Sequence, residues 1–291
     1  MPGQKLGVVV IHGVWSQAGD LPIDSKMPSY SKGMAKRVVR KLGKRAEDIV
    51  WREVSWADIL QRRQREYLDL IRDKTGHDPA RAFMLSALSD AASYRKVTDG
   101  SAAIYEQIHN RVELTMRSLA AEIGPDGPIL ILAHSLGSHI MSNYIYDLQH
   151  FARITGEQRF ETGLENMQTV AGFMTFGCNI PVFLFAHRRD SIVSIDYPGA
   201  GLPDHQQIAP WWQNFYDKQD VLAYPMGPSA PCYSKMVADR HLRDVPMHLG
   251  TTEVAQWDPM RHGAYWDDPE MIAPVVHYIN KFFDAPPIPS A

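Results

Sequence analysis

An α/β fold built on a doubly wound, mostly parallel sheet is what this sequence predicts, and three observations carry the expectation. Residues 8–11 and 129–133 are unbroken runs of Val, Ile, Leu and Ala, the character of strands buried on both faces. Amphipathic stretches of helical period fall between these runs and weaker strand candidates. The chain has 291 residues, 45% of them hydrophobic, which is enough for one large core.

The first strand, Val8-Val9-Val10-Ile11, runs into His12-Gly13. Residues 31–42 follow as a helix with Met34, Val38 and Leu42 on one face and basic residues on the other. Residues 49–54 read as a second strand. The stretch 57–123 breaks the alternation and reads as successive helices, with 61–72 first and 101–123 last. Its first part, about 57–110, is expected to be a helical insertion over one end of the sheet, either a lid or extra packing. After the strand at 129–133 comes a helix over 136–150 with Ile140, Tyr144 and Leu148 on one face. Residues 171–176 and 211–216 are weaker strands, and 269–283 a last helix with Ile272, Val276 and Ile279 inward. The expectation is one domain over 1–284 and a frayed Pro-rich tail over 285–291.

Thirty basic and 33 acidic residues give a net charge of −3, which points to no nucleic-acid partner. Cys178 and Cys232 are the only cysteines, too few for a disulfide framework, so a reducing, cytoplasmic setting is expected. The apolar run at 7–11 is too short for a signal sequence or a membrane span. There is no H-E-x-x-H, C-x-x-C or P-loop, and Pro198-Gly199-Ala200-Gly201 lacks the third glycine of a dinucleotide loop; no metal or cofactor is expected. The basic run Lys32, Lys36, Arg37, Arg40, Lys41, Lys44 and Arg45 reads as a solvated helix face, with weak contact to an anionic lipid surface as the alternative.

The strongest chemical signal is Ala133-His134-Ser135-Leu136-Gly137, set between a buried strand and an amphipathic helix. A serine on so sharp a strand-to-helix turn needs a strained backbone and small residues two positions to either side, and Ala133 and Gly137 are small. Such a turn is expected to expose the hydroxyl at the carboxyl end of the sheet. It also aims the Leu136 N–H, at the helix N-terminus, toward a developing oxyanion.

In this motif the chain resembles the α/β-hydrolase superfamily, and within it the serine esterases and lipase-like hydrolases, with Ala133 standing where glycine is usual. His12-Gly13 resembles the loop that supplies the second oxyanion donor there, which would be the amide of Val14 or Trp15. The resemblance implies a Ser-His-Asp triad in the chain order serine, acid, histidine. His262, in a loop before the last helix and followed by Gly263, is the expected base, ahead of His241, His248 and His277. Asp220, before Val221, is the expected acid, with Asp217 as the rival. His12, Gly13, His134, Trp211 and Phe176 are expected around the substrate, although a packed, hydrogen-bonded role is the simpler account of His134 and His139. Trp15, Trp212 and Trp266 would add to an apolar pocket.

The activity implied is hydrolysis of a small carboxylic ester through an acyl-enzyme. The readings left beside it are an amidase or peptidase, a perhydrolase with the same triad, and a catalytically silent scaffold that binds.

Overall fold

The computed structural model describes residues 4–14, 28–96, 103–250 and 259–285. Six strands, β1 (Leu6–Ile11), β2 (Ile49–Val54), β3 (Ile129–His134), β4 (Val170–Phe176), β5 (Trp212–Asp217) and β6 (Leu242–Met247), form one sheet in the order β2-β1-β3-β4-β5-β6. Every neighbouring pair is parallel.

Helices cover both faces, because each inner strand is apolar on both sides. Val9, Ile11, Ile129, Ile131 and Phe173 pack against α4 (Ala103–Ile123), α5 (Leu136–Thr155) and α7 (Pro231–Ala238). Leu6, Val8, Val10, Leu130, Leu132 and Met174 pack against α1 (Lys32–Leu42) and α8 (Pro269–Asp284). A period of two along each strand thus feeds two cores, which is the doubly wound layering that the sequence predicts. It is consistent with an α/β-hydrolase-like fold.

The inserted helices are fewer than expected. α2 (Asp58–Thr75) and α3 (Pro79–Ser93) pair with each other, and Gln64 Nε2 donates to the buried Asp90 Oδ1 at 2.6 Å. α4, by contrast, starts inside the expected insertion yet is the crossover from β2 to β3. Its Ile108, Val112, Met116 and Leu119, spaced four, four and three apart, are fully buried against the sheet.

β6 has no counterpart among the predicted strands. It is an edge strand reading Leu-Arg-Asp-Val-Pro-Met, with Pro246 tolerated because an edge needs fewer ladder donors. Asp244 is there to bond rather than to pack: its carboxylate accepts from Met226 N, Gly227 N and Asn214 Nδ2 at 2.7–2.8 Å.

Arg37 of α1 and Arg45 of the 3₁₀ segment after it (Gly43–Asp48) are engaged by α8 and the residues before it, Arg37 with Asp267 and Arg45 with Asp284 at 2.7 Å. Cys178 and Cys232 are free thiols. No helix among the described residues is long and apolar enough to cross a membrane. The Pro-rich tail lies outside the described residues from 286 onward.

Candidate active site

The strand order reverses between β1 and β3, so the connections leaving their carboxyl ends part in opposite directions and leave a crevice there, the usual position for a ligand in such sheets. Gly13 follows β1 and Ser135 follows β3. A methyl group on Gly13 would lie 2.8 Å from Ser135 Oγ and 3.0 Å from His134 O, so only glycine allows the two chain ends to approach this closely. Gly137 is needed for the same reason. A Cβ there would lie 2.6 Å from His12 O and hold α5 away from β1.

Ser135 has φ 53° and ψ −125°, a left-handed conformation that a non-glycine residue adopts only under constraint. The constraints are visible. Ser135 N donates to Phe176 O at 3.0 Å, Ser138 N to Ser135 O at 2.9 Å, and Ser138 Oγ to Ala133 O at 3.0 Å. Leu136 is the first residue of α5, so its N–H has no partner within the helix.

His262 and Asp220 both meet this corner. His262 Nε2 is 2.7 Å from Ser135 Oγ, and His262 Nδ1 is 2.8 Å from Asp220 Oδ2. With the carboxylate holding the hydrogen on Nδ1, Nε2 is left to accept the serine hydroxyl hydrogen. Burial by itself would raise the Asp220 carboxyl. The hydrogen bond and charge of His262, with the N–H of Leu222 and the hydroxyl of Tyr265, hold it below its usual range. His241, His248 and His277 are exposed and stand apart from the serine.

The rival carboxylate has a different task. Asp217 is fully buried, and its Oδ2 accepts from Leu249 N at 3.0 Å and Arg261 Nε at 3.1 Å, while Oδ1 accepts from Gln219 N at 2.8 Å. Arg261 also donates to Leu249 O at 2.7 Å. Asp217 therefore clamps the residue next to His262 to the end of β5.

Tyr265, which sequence reasoning did not single out, joins the Asp217 backbone to the Asp220 carboxylate. Its hydroxyl accepts the Asp217 N–H at 2.9 Å and donates to Asp220 Oδ2 at 3.0 Å. His262 and Tyr265 are three apart in the 3₁₀ segment Pro259–Trp266, where residues at that spacing eclipse one another, so one face presents both to Asp220. That spacing was readable once the 3₁₀ turn was assumed.

His134 also positions rather than binds. Its Nε2–H donates to His262 O at 2.7 Å, its ring lies 4.8 Å from the His262 ring, and burial followed by the nearness of His262 lowers it to about 3. His12 is sealed in the same way. Nδ1–H donates to Gly13 O at 2.7 Å, the ring stacks on Trp56 at 5.1 Å, and burial lowers it to about 4. His12 Nε2 has no hydrogen-bond partner among the described residues.

Phe176, fully buried at the end of β4, lies under His134 and Trp266 with ring separations of 5.2 and 5.0 Å. Trp211 corrects the expectation of a substrate contact. It precedes β5 at the amino end, about 20 Å of extended chain from Asp217, and packs on Tyr197 and Trp212. Val14 is half-buried against the core, and Trp15 lies outside the described residues.

One further expectation is corrected. The Ser135 hydroxyl is not at the surface: the residue is 1% exposed, with His262 at 3% and Asp220 at 5%. Gly13 and the His262 imidazole both lie against the Ser135 side chain. Among the described residues no group of His, Cys, Asp and Glu is placed to hold a metal ion. No family model matches the sequence, and no curated protein matches it.

Proposed function

We propose that the protein is a serine hydrolase of the α/β-hydrolase kind, acting on a small carboxylic ester. The observation that carries this reading is the unbroken hydrogen-bonded chain from Ser135 Oγ through His262 to Asp220, set on a strained corner at the sheet's switch point. Serine is a poor nucleophile at neutral pH, and this arrangement supplies what it lacks: a neutral imidazole aligned to take the proton and a carboxylate to stabilise the imidazolium.

In the reaction proposed, Ser135 Oγ attacks the ester carbonyl as its proton passes to His262 Nε2. The Leu136 N–H, with an amide of the loop after Gly13, stabilises the oxyanion. His262 then protonates the departing alcohol. Water, deprotonated by the same nitrogen, hydrolyses the acyl-enzyme and restores the serine.

Labelling with a small fluorophosphonate, read by intact mass, tests this. Wild type is expected to gain one adduct, and Ser135→Ala none, with p-nitrophenyl acetate hydrolysis falling at least about 10³-fold. Equal labelling of both proteins would remove Ser135 from the chemistry. A parallel series of p-nitroanilides separates an amidase from an esterase.

A further inference from the structure

A cavity of about 580 Å³ runs along one face of α5, within the range of small-molecule sites. His139, Asn143 and Asp147, four residues apart, form one wall, and α6 (Ile180–Leu184) and the residues just after α3 face them. Because α5 begins directly after Ser135, His139 stands about 6 Å along the helix axis from the serine and Asp147 about 18 Å.

The chemistry of the lining changes along that length. Near the serine, the His139 ring stacks on Phe183 at 4.1 Å and 5°, with Ile180 beside them. Burial lowers His139 to about 3, so both rings are uncharged at neutral pH. At the far end, the Asp147 carboxylate is already satisfied by Lys96 Nζ and the Tyr105 hydroxyl, each at 3.0 Å. Arg95, also in the lining and exposed, has no carboxylate partner among the described residues. The lining thus carries two cations, Arg95 and Lys96, and one carboxylate, Asp147. The part of an ester that stays bonded to Ser135 is its acyl group; the lining begins at His139, one helical turn beyond the serine, which is the route that group would take.

Resting on the triad reading above, we propose that this cavity is the acyl subsite and that it selects medium-length acyl chains ending in an anion, as in the half-esters of dicarboxylic acids. An apolar chain fits the uncharged inner part, and its terminal carboxylate meets Arg95.

The test compares p-nitrophenyl octanoate with the p-nitrophenyl half-ester of suberic acid, which has the same chain length, and p-nitrophenyl acetate as the basal substrate. Wild type is expected to favour the half-ester over octanoate by about two- to fivefold in kcat/KM, the worth of an ion pair to an exposed guanidinium. Arg95→Glu is expected to abolish the preference and leave acetate hydrolysis unchanged, while Arg95→Lys retains part of it. A second arm needs no turnover: free suberate should raise the Tm of Ser135→Ala, and not that of Ser135→Ala carrying Arg95→Glu. No preference in wild type, or one that survives Arg95→Glu, overturns the proposal, as does a suberate shift indifferent to Arg95. Absence of acetate hydrolysis in wild type would instead overturn the triad reading and the acyl role with it, leaving the suberate shift to decide anion binding by itself.

Discussion

Tyr265 donates its phenolic hydrogen to the same Asp220 oxygen that receives Nδ1–H of His262, at 3.0 and 2.8 Å respectively. The phenol is fully buried, and burial, followed by the charge of Asp220, raises it far above its ordinary range, so it remains a donor at any working pH. It fixes the carboxylate's orientation from one side while the imidazole engages it from another.

Removing that hydroxyl leaves the ring packing in place. Tyr265→Phe is expected to lower kcat for p-nitrophenyl acetate about tenfold with KM little changed, and to cost about 1–2 kcal/mol of stability because Asp217 N–H loses its acceptor. Steady-state kinetics beside urea unfolding measure both. An unchanged kcat would reduce Tyr265 to a packing residue.

The two aspartates should separate in their effects. Asp220→Asn is expected to lower kcat about 10³–10⁴-fold with little change in unfolding midpoint, because the imidazole loses its orienting charge. Asp217→Asn sets amide hydrogens against the Leu249 N–H and the Arg261 guanidinium, which is only 14% exposed, and so leaves a poorly compensated charge. A stability loss of about 3–5 kcal/mol and a smaller loss of kcat are expected. Denaturant titration of both variants decides it; the reverse pattern would make Asp217 the acid.

Gly13→Ala places a methyl group against Ser135 Oγ and the His134 carbonyl, and the backbone contact cannot yield as a flexible side chain would. Stability is expected to fall by about 1–3 kcal/mol. The fluorophosphonate labelling rate should fall about 100-fold, as displaced reacting groups lose their alignment. Stopped-time mass spectrometry with a thermal melt tests this, and wild-type labelling in the variant would refute the close approach.

Asp90, buried between α2 and α3, gives a pH signature. Burial raises its carboxyl to about 7, against a hydrogen bond from Gln64 that lowers it. The folded state therefore holds a proton that the unfolded state has released above about pH 4, and stability should fall as pH rises from about 4 to 7. Asp90→Asn keeps the acceptor for Gln64 without the charge. It is expected to stabilise by about 1–2 kcal/mol at pH 8 and to be neutral at pH 4. Unfolding midpoints at the two pH values are the check.

Much of the scaffold was legible because its strands are buried on both sides. Runs such as Val8–Ile11 have no alternative reading once helices of 3.6 period flank them, whereas β6 hid behind Arg243, Asp244 and Pro246, residues whose reasons lie in an edge position and in a loop 17 residues upstream. Around the serine, residue type and the strand-to-helix setting marked Ser135, the family resemblance implied His262, and the structure brings the two together. Asp220 and Asp217 differ only in which side chain the turn carries to the imidazole, a matter of three dimensions rather than of pattern. Trp211 shows the opposite failure: an aromatic beside a strand has no declared end, and this one stands at the wrong end. Burial of the hydroxyl was invisible for the same reason, since exposure is a property of what packs above the turn.

That concealment of residue 135 bears on kinetics. With residue 135 only 1% exposed, bulky and compact fluorophosphonates of equal intrinsic reactivity are expected to differ sharply in their rates. With reagents reactive enough, inactivation should level off at a common ceiling set by the protein's own motion. The same enclosure keeps bulk water away from Ser135, whose hydroxyl is already held in line with His262, and an ester cleaved as proposed would meet that arrangement on entry.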